Sequence, residues 1–289
     1  MAGAALAVPV SGVGRPAQLS AAAPPALAVA HGPVPSRSVP AALEALGGIR
    51  RFVSRGDVVV VKPNIGWDRT PEYAANTNPE VVAAVVALCL EAGAKRVKIF
   101  DHPVVDARRA YRQSGIAAAA AAAGGEVVFM DDRKFKEMKL GGNTLKSWPL
   151  YTEALEADKL INIPIAKVHG TSVLTLGMKN LMGIMGGWRG RIHQRIDESL
   201  ADLTAFVKPS LVILDAVRIL TANGPQGGSF GDVKKLDLVI AGADSVAVDA
   251  YGATLFGMKP ADLGFVRLGQ EMGLGSMELD KLPIRKINL

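Results

Sequence analysis

The stretch "KLINIPIAKVHGTSVLTLGMKNLMG", Lys159 to Gly183, decides how this chain is read. Its first half is an unbroken apolar run rather than an alternation of apolar and polar residues. Such runs mark strands covered on both faces, as in a parallel sheet between helices. The second half turns abruptly to lysines, a histidine, threonines and glycines. The wider window is stranger: from Lys159 to Ile196 there is no Asp or Glu, against six Lys/Arg and two His. With 27 acids in 289 residues, an even spread would place roughly three or four there.

Other runs repeat the first half's character: "ALAVA", "DVVVVKPN", "RVKIFDH", "EVVFMDD", "SLVILDA" and "LDLVIAGAD". Helix-patterned segments lie between them. Asn78-Pro79-Glu80 supplies an N-cap, a first-turn proline and an early acid, and Gly93 can end that helix. "DARRAYRQSGIAAAAAAAGG" reads as one helix, its alanines outweighing the internal Gly115. This βαβα alternation predicts a doubly wound α/β fold, a mostly parallel sheet with helices on both faces. The expected organisation is a leader over residues 1–25 and one α/β domain over 26–289. A break near Leu150–Asp158 offers a division into two lobes, but one continuous sheet is the preferred reading.

Composition narrows the function. The formal charge is +6, but Arg15, Arg37, Arg50, Arg51 and Arg55 against Glu44 place +4 in the first 56 residues. The rest carries no basic stripe with stacking aromatics, so nucleic acid is not an expected partner. The single Cys89 sits in the apolar "EVVAAVVALCLEAG", which excludes an internal disulfide and reads as an inert buried thiol. No run of 18 apolar residues exists, so no membrane span is expected. The acid-free, Ala/Val/Pro-rich start resembles either the late part of an export signal or a disordered leader. The corresponding location is periplasmic or exported, and otherwise cytoplasmic.

Six runs end in polar residues: Lys62 and Asn64, Asp101 and His102, Asp131, Lys167 and His169, Asp215, and Asp244. In open parallel sheets ligands bind beyond the carboxyl ends of the strands, so these residues are expected to converge. After "IPIAKVH" the reading is a tight turn at Gly170 and a helix capped by Thr171 or Ser172. Thr171, Thr175 and Lys179 would then share one stripe, beside a core stripe of Leu174, Met178, Leu181 and Met185. The free N–H groups of that helix start would favour an anion. Two ammonium groups ~6 Å apart at an effective dielectric of ~20 repel by roughly 3 kcal/mol. If Lys62, Lys167 and Lys179 meet, Asp101, Asp215, Asp244 or a bound anion must lie among them. Asn78 reads as a cap, which leaves Asn76 as the pocket candidate of "NTNP". Gly-rich "ILTANGPQGGSFGD" matches no nucleotide loop and reads as a connector or lid. Asp249, an acid on an apolar helix, is expected to pair with one of the lysines. Histidines 102, 169 and 193 have no spacing that ties two of them to one helix face, so no metal site is assigned.

With those residues in view, "VVVVKPNIGW", "NTNPEVVAAVV", "IPIAKVHGTSVLTLGMKNLMGIM" and "GPQGGSFGDVKKLDLVIAGADSVAVDAYGATLFG" resemble the bacterial and archaeal family called domain of unknown function 362. The resemblance runs from about Ala26 to Gly273, and its most specific part is the Lys-x-His…Met-Lys-Asn-Leu-Met-Gly segment. It implies no settled activity. Many members look like twin-arginine export substrates, although no Arg-Arg pair precedes the apolar stretch here. Some members carry ferredoxin-type cysteines, absent here, so a redox role would need a separate electron-transfer partner. The order of strand, His169, Lys179 and later His193 is also similar to the layout of nickel-pincer lactate racemases, though the motif around those residues is not matched.

The resulting expectation is a protein that binds a small anionic metabolite, carboxylate or phosphate, at the strand ends. Lys62, Lys167 and Lys179 would hold the anion, with Asn64, Asn76, Thr171, Thr175 and Asn180 as further ligand contacts. His169 or Asp215 would move a proton. The alternatives are a non-catalytic exported binding or redox-accessory protein, and a metal-cofactor isomerase resembling lactate racemase. The sequence names no cofactor.

Overall fold

The computed structural model describes residues 24–289, together with Met1 and Gly3. The leader read at residues 1–25 therefore lies, but for its ends, outside the described residues. The strands are β1 (Leu27–His31), β2 (Val58–Pro63), β3 (Arg96–Ile99), β4 (Glu126–Val127), β5 (Phe135–Lys139) and β6 (Ser147–Tyr151). Next come β7 (Lys159–Ile163), β8 (Ile165–His169), β9 (Val173–Thr175), β10 (Leu211–Leu220), β11 (Val233–Gly242) and β12 (Ile284–Asn288). The main sheet has the order β12-β1-β11-β10-β7-β2-β3-β4, with β8 added to β10 and β9 to β8, and β5–β6 forms a separate hairpin. Its pairs are parallel except where β11 meets β1 and β10, and where β9 folds back on β8.

Helices cover both faces: α1 (Pro35–Ala45), α2 (Pro79–Glu91), α3 (Ala107–Gln113), α4 (Ile116–Ala122), α5 (Thr152–Leu155), α6 (Gly177–Asn180), α7 (Ile196–Val207), α8 (Ser245–Thr254) and α9 (Gly264–Glu271). Strand parity explains the unbroken apolar runs. Val59, Val61, Ile161, Ile163, Leu211 and Ile213 point into a core shared with α1 to α4. Their neighbours Val60, Leu160, Val212 and Leu214 point into the core of α6 to α9. Successive side chains of a strand face opposite ways, so a strand buried on both sides has no polar alternation to show. The mostly parallel α/β architecture is the one expected from sequence.

Three local expectations give way. The segment read as one helix is two, because Gly115 takes a φ of 72° between α3 and α4. The run "KLINIPIAKVH" is two strands: Pro164 ends β7, which pairs with β2 and β10, and β8 continues between β10 and β9. Most consequentially, no helix begins at Thr171. The chain instead makes a hairpin, with Lys167 opposite Thr175 and His169 opposite Val173, whose φ is 62°. Helix α6 starts only at Gly177 and passes into a 3-10 turn over Leu181–Ile184. Leu174, Met178, Leu181 and Met185 still reach the core, but from a strand and two short turns rather than one stripe.

Two buried contacts fix this region. Asp249, fully buried on α8, accepts the N–H groups of Gly177 and Met178 at 2.6 and 2.8 Å. The expected partnership of Asp249 with a lysine is thus replaced by a cap on the start of α6. The helix start expected at Thr171 to favour an anion does not exist, and the N–H groups at the start of α6 are already occupied. Burial pushes this carboxyl up to about 7, against the pull of its two N–H donors. The second contact is the buried pair of Lys62, at the carboxyl end of β2, and Asp101, after β3, 2.8 Å apart. Gly183 lies directly over it, and a Cβ there would overlap Asp101 Oδ1 and press on Lys62 Nζ.

Both contacts can be tested by equilibrium denaturation. Asp249→Ala strands two buried donors and is expected to cost about 2–4 kcal/mol. Gly183→Ala splits a buried ion pair and is expected to cost about 3 kcal/mol or more. A loss below 1 kcal/mol in either variant would contradict the assigned role.

Candidate functional site

Beyond the carboxyl ends of β2, β3 and β8 lies a cavity of about 360 Å³. Its floor is Asp101 with Gly183, and its sides carry Asn64, Lys167, Thr175, Lys179 and Asn180; Lys62, expected among the ligand contacts, does not line it and lies behind Asp101 as that residue's partner. His102, His169, Arg189 and His193 stand around it, and Trp67 and Met182 add apolar wall. Lys62 is 0%, Lys167 2% and Lys179 8% exposed, so the two ammonium groups that line the cavity and the one behind its floor are all buried.

Their partners differ. Lys62 has Asp101 and also donates to Pro63 O at 2.9 Å. Asp101 is tied in turn by the N–H of Ile65, which donates to Oδ2 at 2.6 Å. Lys167 has no acid; it donates to Ala75 O at 2.5 Å and Asn64 Oδ1 at 3.0 Å. Lys179 is poorer still, its Nζ resting 3.1 Å from Met182 Sδ. Arg189 donates to the carbonyls of His102 and Pro103, each at 2.9 Å. Four cations thus face one carboxylate. Burial, and then the neighbouring Lys179, pull Lys167 down to about 7. Burial, and then Arg189 and Lys62, pull Lys179 down to about 8. Burial also lowers Lys62, with Asp101 pulling the other way.

A line of amides orders one wall. Asn162 donates to Gly177 O at 2.8 Å and accepts from Asn180 Nδ2 at 2.8 Å. Asn180 accepts from Asn64 Nδ2 at 2.9 Å, and Asn64 then presents Oδ1 to Lys167. Each amide's orientation follows from the one before, so Lys167 meets a fixed acceptor. Thr175 is different: it is 3% exposed, lines the cavity, and its hydroxyl has no hydrogen-bond partner among the described residues.

Hydrogen bonds also decide which ring nitrogens carry protons. His169 Nδ1 accepts the Thr171 N–H at 3.1 Å, so the neutral ring bears its proton on Nε2. His193 Nδ1 faces Gly190 O at 3.3 Å and His102 Nδ1 faces Met185 O at 2.8 Å. Carbonyls only accept, so both rings donate from Nδ1 and keep a lone pair on Nε2. Burial, then Lys179 and Lys167, pull His169 down to about 3. Burial chiefly lowers His193 and His102 too. The rings of His169 and His193 stack 6.0 Å apart. Together they offer one N–H donor and one lone pair in parallel.

Several residues expected at the site stand elsewhere. Asp215 is fully buried but points to the α2 face, the parity of Leu211 and Ile213, where it accepts the N–H groups of Asn78 and Val217. Burial pushes it up to about 6, yet it does not line the cavity and is a structural acceptor rather than a proton carrier there. Asn76 braces the loop after β2, accepting from Trp67 N and donating to the carbonyls of Trp67 and Arg69. Thr171 is exposed at the hairpin tip and serves only to hold His169. Asp244 caps α8 at the opposite sheet edge, because β11 runs antiparallel to β10. Asp131 caps a short turn and pairs with Arg133. The Gly-rich loop after β10 is pinned rather than lid-like: Asp232 accepts from Asn223, Gly228 and Ser229, and Pro225 lines the cavity. Cys89 is buried and its thiol is pushed up to about 12, as an inert core residue.

Sequence reasoning missed Asn162 and Arg189. Asn162 is the one polar residue inside the apolar run of β7, and Arg189 lies within the acid-free window. Among the described residues no group of three or more His, Cys, Asp or Glu is placed to hold a metal ion, and no helix is long and apolar enough to cross a membrane.

Comparison with known proteins places this geometry in context. A thylakoid-associated protein of Synechocystis is 32% identical over 241 residues, covering 80% of this chain and 73% of the relative. The lactate racemase apoprotein from Thermoanaerobacterium thermosaccharolyticum aligns with a TM-score of 0.44 at 12% identity, over 78% of this chain and 56% of that one. A Thermotoga maritima protein aligns at 0.41 and 11% identity, over 83% of this chain and 60% of that one. The model of the family described as a domain of unknown function (DUF362) matches residues 59–254, and the chain belongs to that family.

Proposed function

We propose that the cavity beyond β2, β3 and β8 binds a small anionic metabolite, a carboxylate or a phosphate, and performs acid–base chemistry on it. The observation that carries this reading is the charge imbalance: Lys167, Lys179 and Arg189 line the cavity, and Asp101, the one carboxylate lining it among the described residues, is already paired with Lys62 behind it. Burying an ammonium without a counter-ion is costly, and a bound anion offsets that cost. Lys179, with only a sulfur beside it, and Thr175, with an unused hydroxyl, are the contacts that such a ligand completes. The proton-moving pair in this reading is His169 and His193 rather than Asp215, since only the histidines border the cavity. His169 Nε2–H would donate to a ligand oxygen while His193 Nε2 accepts a proton.

Thermal-shift titration with lactate and with phosphate tests the binding. Both are expected to raise the melting temperature, and Lys167→Ala or Lys179→Ala to weaken the response about tenfold or more in concentration. The effect has a definite pH sign. With Lys167 falling to about 7 and Lys179 to about 8, both are protonated at low pH and shed protons as pH rises. Lactate keeps one charge between about pH 6 and pH 9, so its affinity should fall across that range. No stabilisation by any anion, or affinity that climbs with pH, would contradict the proposal.

The same lysines are predicted to burden the empty fold. Lys179→Met removes a buried charge beside like charges and is expected to stabilise the ligand-free protein by about 1–2 kcal/mol at neutral pH. In the wild type, ligand-free stability should rise as pH climbs from about 7, because unfolded lysines keep protons that the folded ones have lost. A destabilised Lys179→Met, in urea denaturation at pH 7, would show the ammonium to be structurally satisfied.

A further inference from the structure

The three buried lysines are not equivalent, and the difference bears on chemistry. Lys62 is committed to Asp101 and Pro63 O. Lys167 donates to two oxygens whose positions are fixed, one by backbone and one by the Asn162–Asn180–Asn64 line. An amine that is donating in two directions is held, and its lone pair is not presented to the cavity. Among the described residues Lys179 alone of the three has no oxygen acceptor; Met182 Sδ is the one hydrogen-bond partner of its Nζ there. It reaches the cavity from α6, whose backbone is anchored by Asp249 and by Asn162 on Gly177 O. The amine therefore sits on a rigid support with freedom only at its tip. The groups that face it are Lys62, Arg189, Lys167, His169 and His193, with Asp101 across the floor. Cationic neighbours and burial both favour the neutral amine, the form that attacks carbon.

We infer that Lys179 is a nucleophile that forms a Schiff base with the carbonyl carbon of an anionic substrate, a 2-oxo acid or an aldehyde acid. This rests on the anion-binding reading above and deepens it by naming the reacting atoms. The Lys179 Nζ lone pair attacks the carbonyl carbon, forming the C–N bond, while His169 Nε2–H donates to the carbonyl oxygen. The C=O π bond breaks as the C–N bond forms, and His193 Nε2 accepts the proton that the nitrogen releases and returns it to the resulting alkoxide, so the product is a carbinolamine. A second proton, drawn from solvent through His193 Nε2, protonates its hydroxyl, the C–O bond breaks, water departs, and the nitrogen lone pair forms the iminium. No oxidant or reductant is consumed. Lys167 and Arg189 face the substrate's carboxylate, and Thr175 Oγ1 supplies a hydrogen bond that nothing else in the site uses.

Reductive trapping tests the inference. The full chain is incubated with pyruvate and sodium cyanoborohydride, then digested and mapped by mass spectrometry. Near neutral pH a lysine at about 8 holds on the order of a hundredfold more neutral amine than an unperturbed one. The expected result is one dominant reduced adduct on Lys179, about tenfold or more above any other lysine. Lys179→Arg, which keeps the charge, should abolish it, and excess lactate, which has no carbonyl, should suppress it in the wild type. Labelling spread over surface lysines, or concentrated on Lys167, overturns the assignment. A thermal-shift titration with lactate on the same sample separates the two levels. Stabilisation by lactate without an adduct removes the nucleophile and leaves the anion site, whereas failure of both removes the site itself.

Discussion

Everything at the upper edge of this sheet is organised around an electrostatic debt: three lysine ammonium groups are buried within one region that holds a single carboxylate. Asp101 neutralises Lys62, and the pair joins the ends of β2 and β3 beneath Gly183. Lys167 and Lys179 remain without an acid, and Arg189 adds a fourth cation from the far wall. Isolated buried charges are among the least favourable features a fold can contain. Burial and mutual repulsion lower both free lysines, which limits the cost by letting them lose their protons near neutrality.

The scaffold spends its best-ordered polar contacts on holding this arrangement. Asp249 fixes the start of α6 from a helix 72 residues further along the chain. The amide line from Asn162 to Lys167 converts a strand position into the orientation of a cavity wall. Asp215 performs a similar service on the opposite face, tying β10 to the loop that opens α2. Even the glycine-rich segment after β10 is drawn down by Asp232, so that Pro225 becomes part of the cavity boundary. Charged groups held this way do not need to reorganise when a ligand arrives, which is the condition for strong electrostatic effects at a site.

Much of this was legible in the sequence because it follows from local rules. Unbroken apolar strands announced a sheet covered on both faces, and Asn78 with Pro79 and Gly93 framed α2 as it stands. The acid-free window pointed at the region where Lys167, Lys179 and Arg189 gather. What was not legible depended on distant partners or on handedness. The helix read from Thr171 failed because Val173 turns at a positive φ and pairs β9 with β8, an outcome set by packing rather than propensity. Asp249 was recognisable as an acid needing a partner, but the partner was backbone, which no residue pattern displays. Asp244 moved to the other edge because β11 runs against its neighbours, and strand direction is a property of topology alone. Asp215 was lost to parity: one position along a strand exchanges the cavity side for the α2 side.

On the proposed reading, the cavity's lysines are short of negative charge and recover protons when an anion binds. Isothermal titration of lactate at pH 8, repeated in buffers of different ionisation enthalpy, measures that recovery directly. The account predicts binding accompanied by uptake of about one proton shared between Lys167 and Lys179, and a smaller uptake when either lysine is replaced by methionine. Binding heats that are the same in every buffer, or no binding at all, would contradict it.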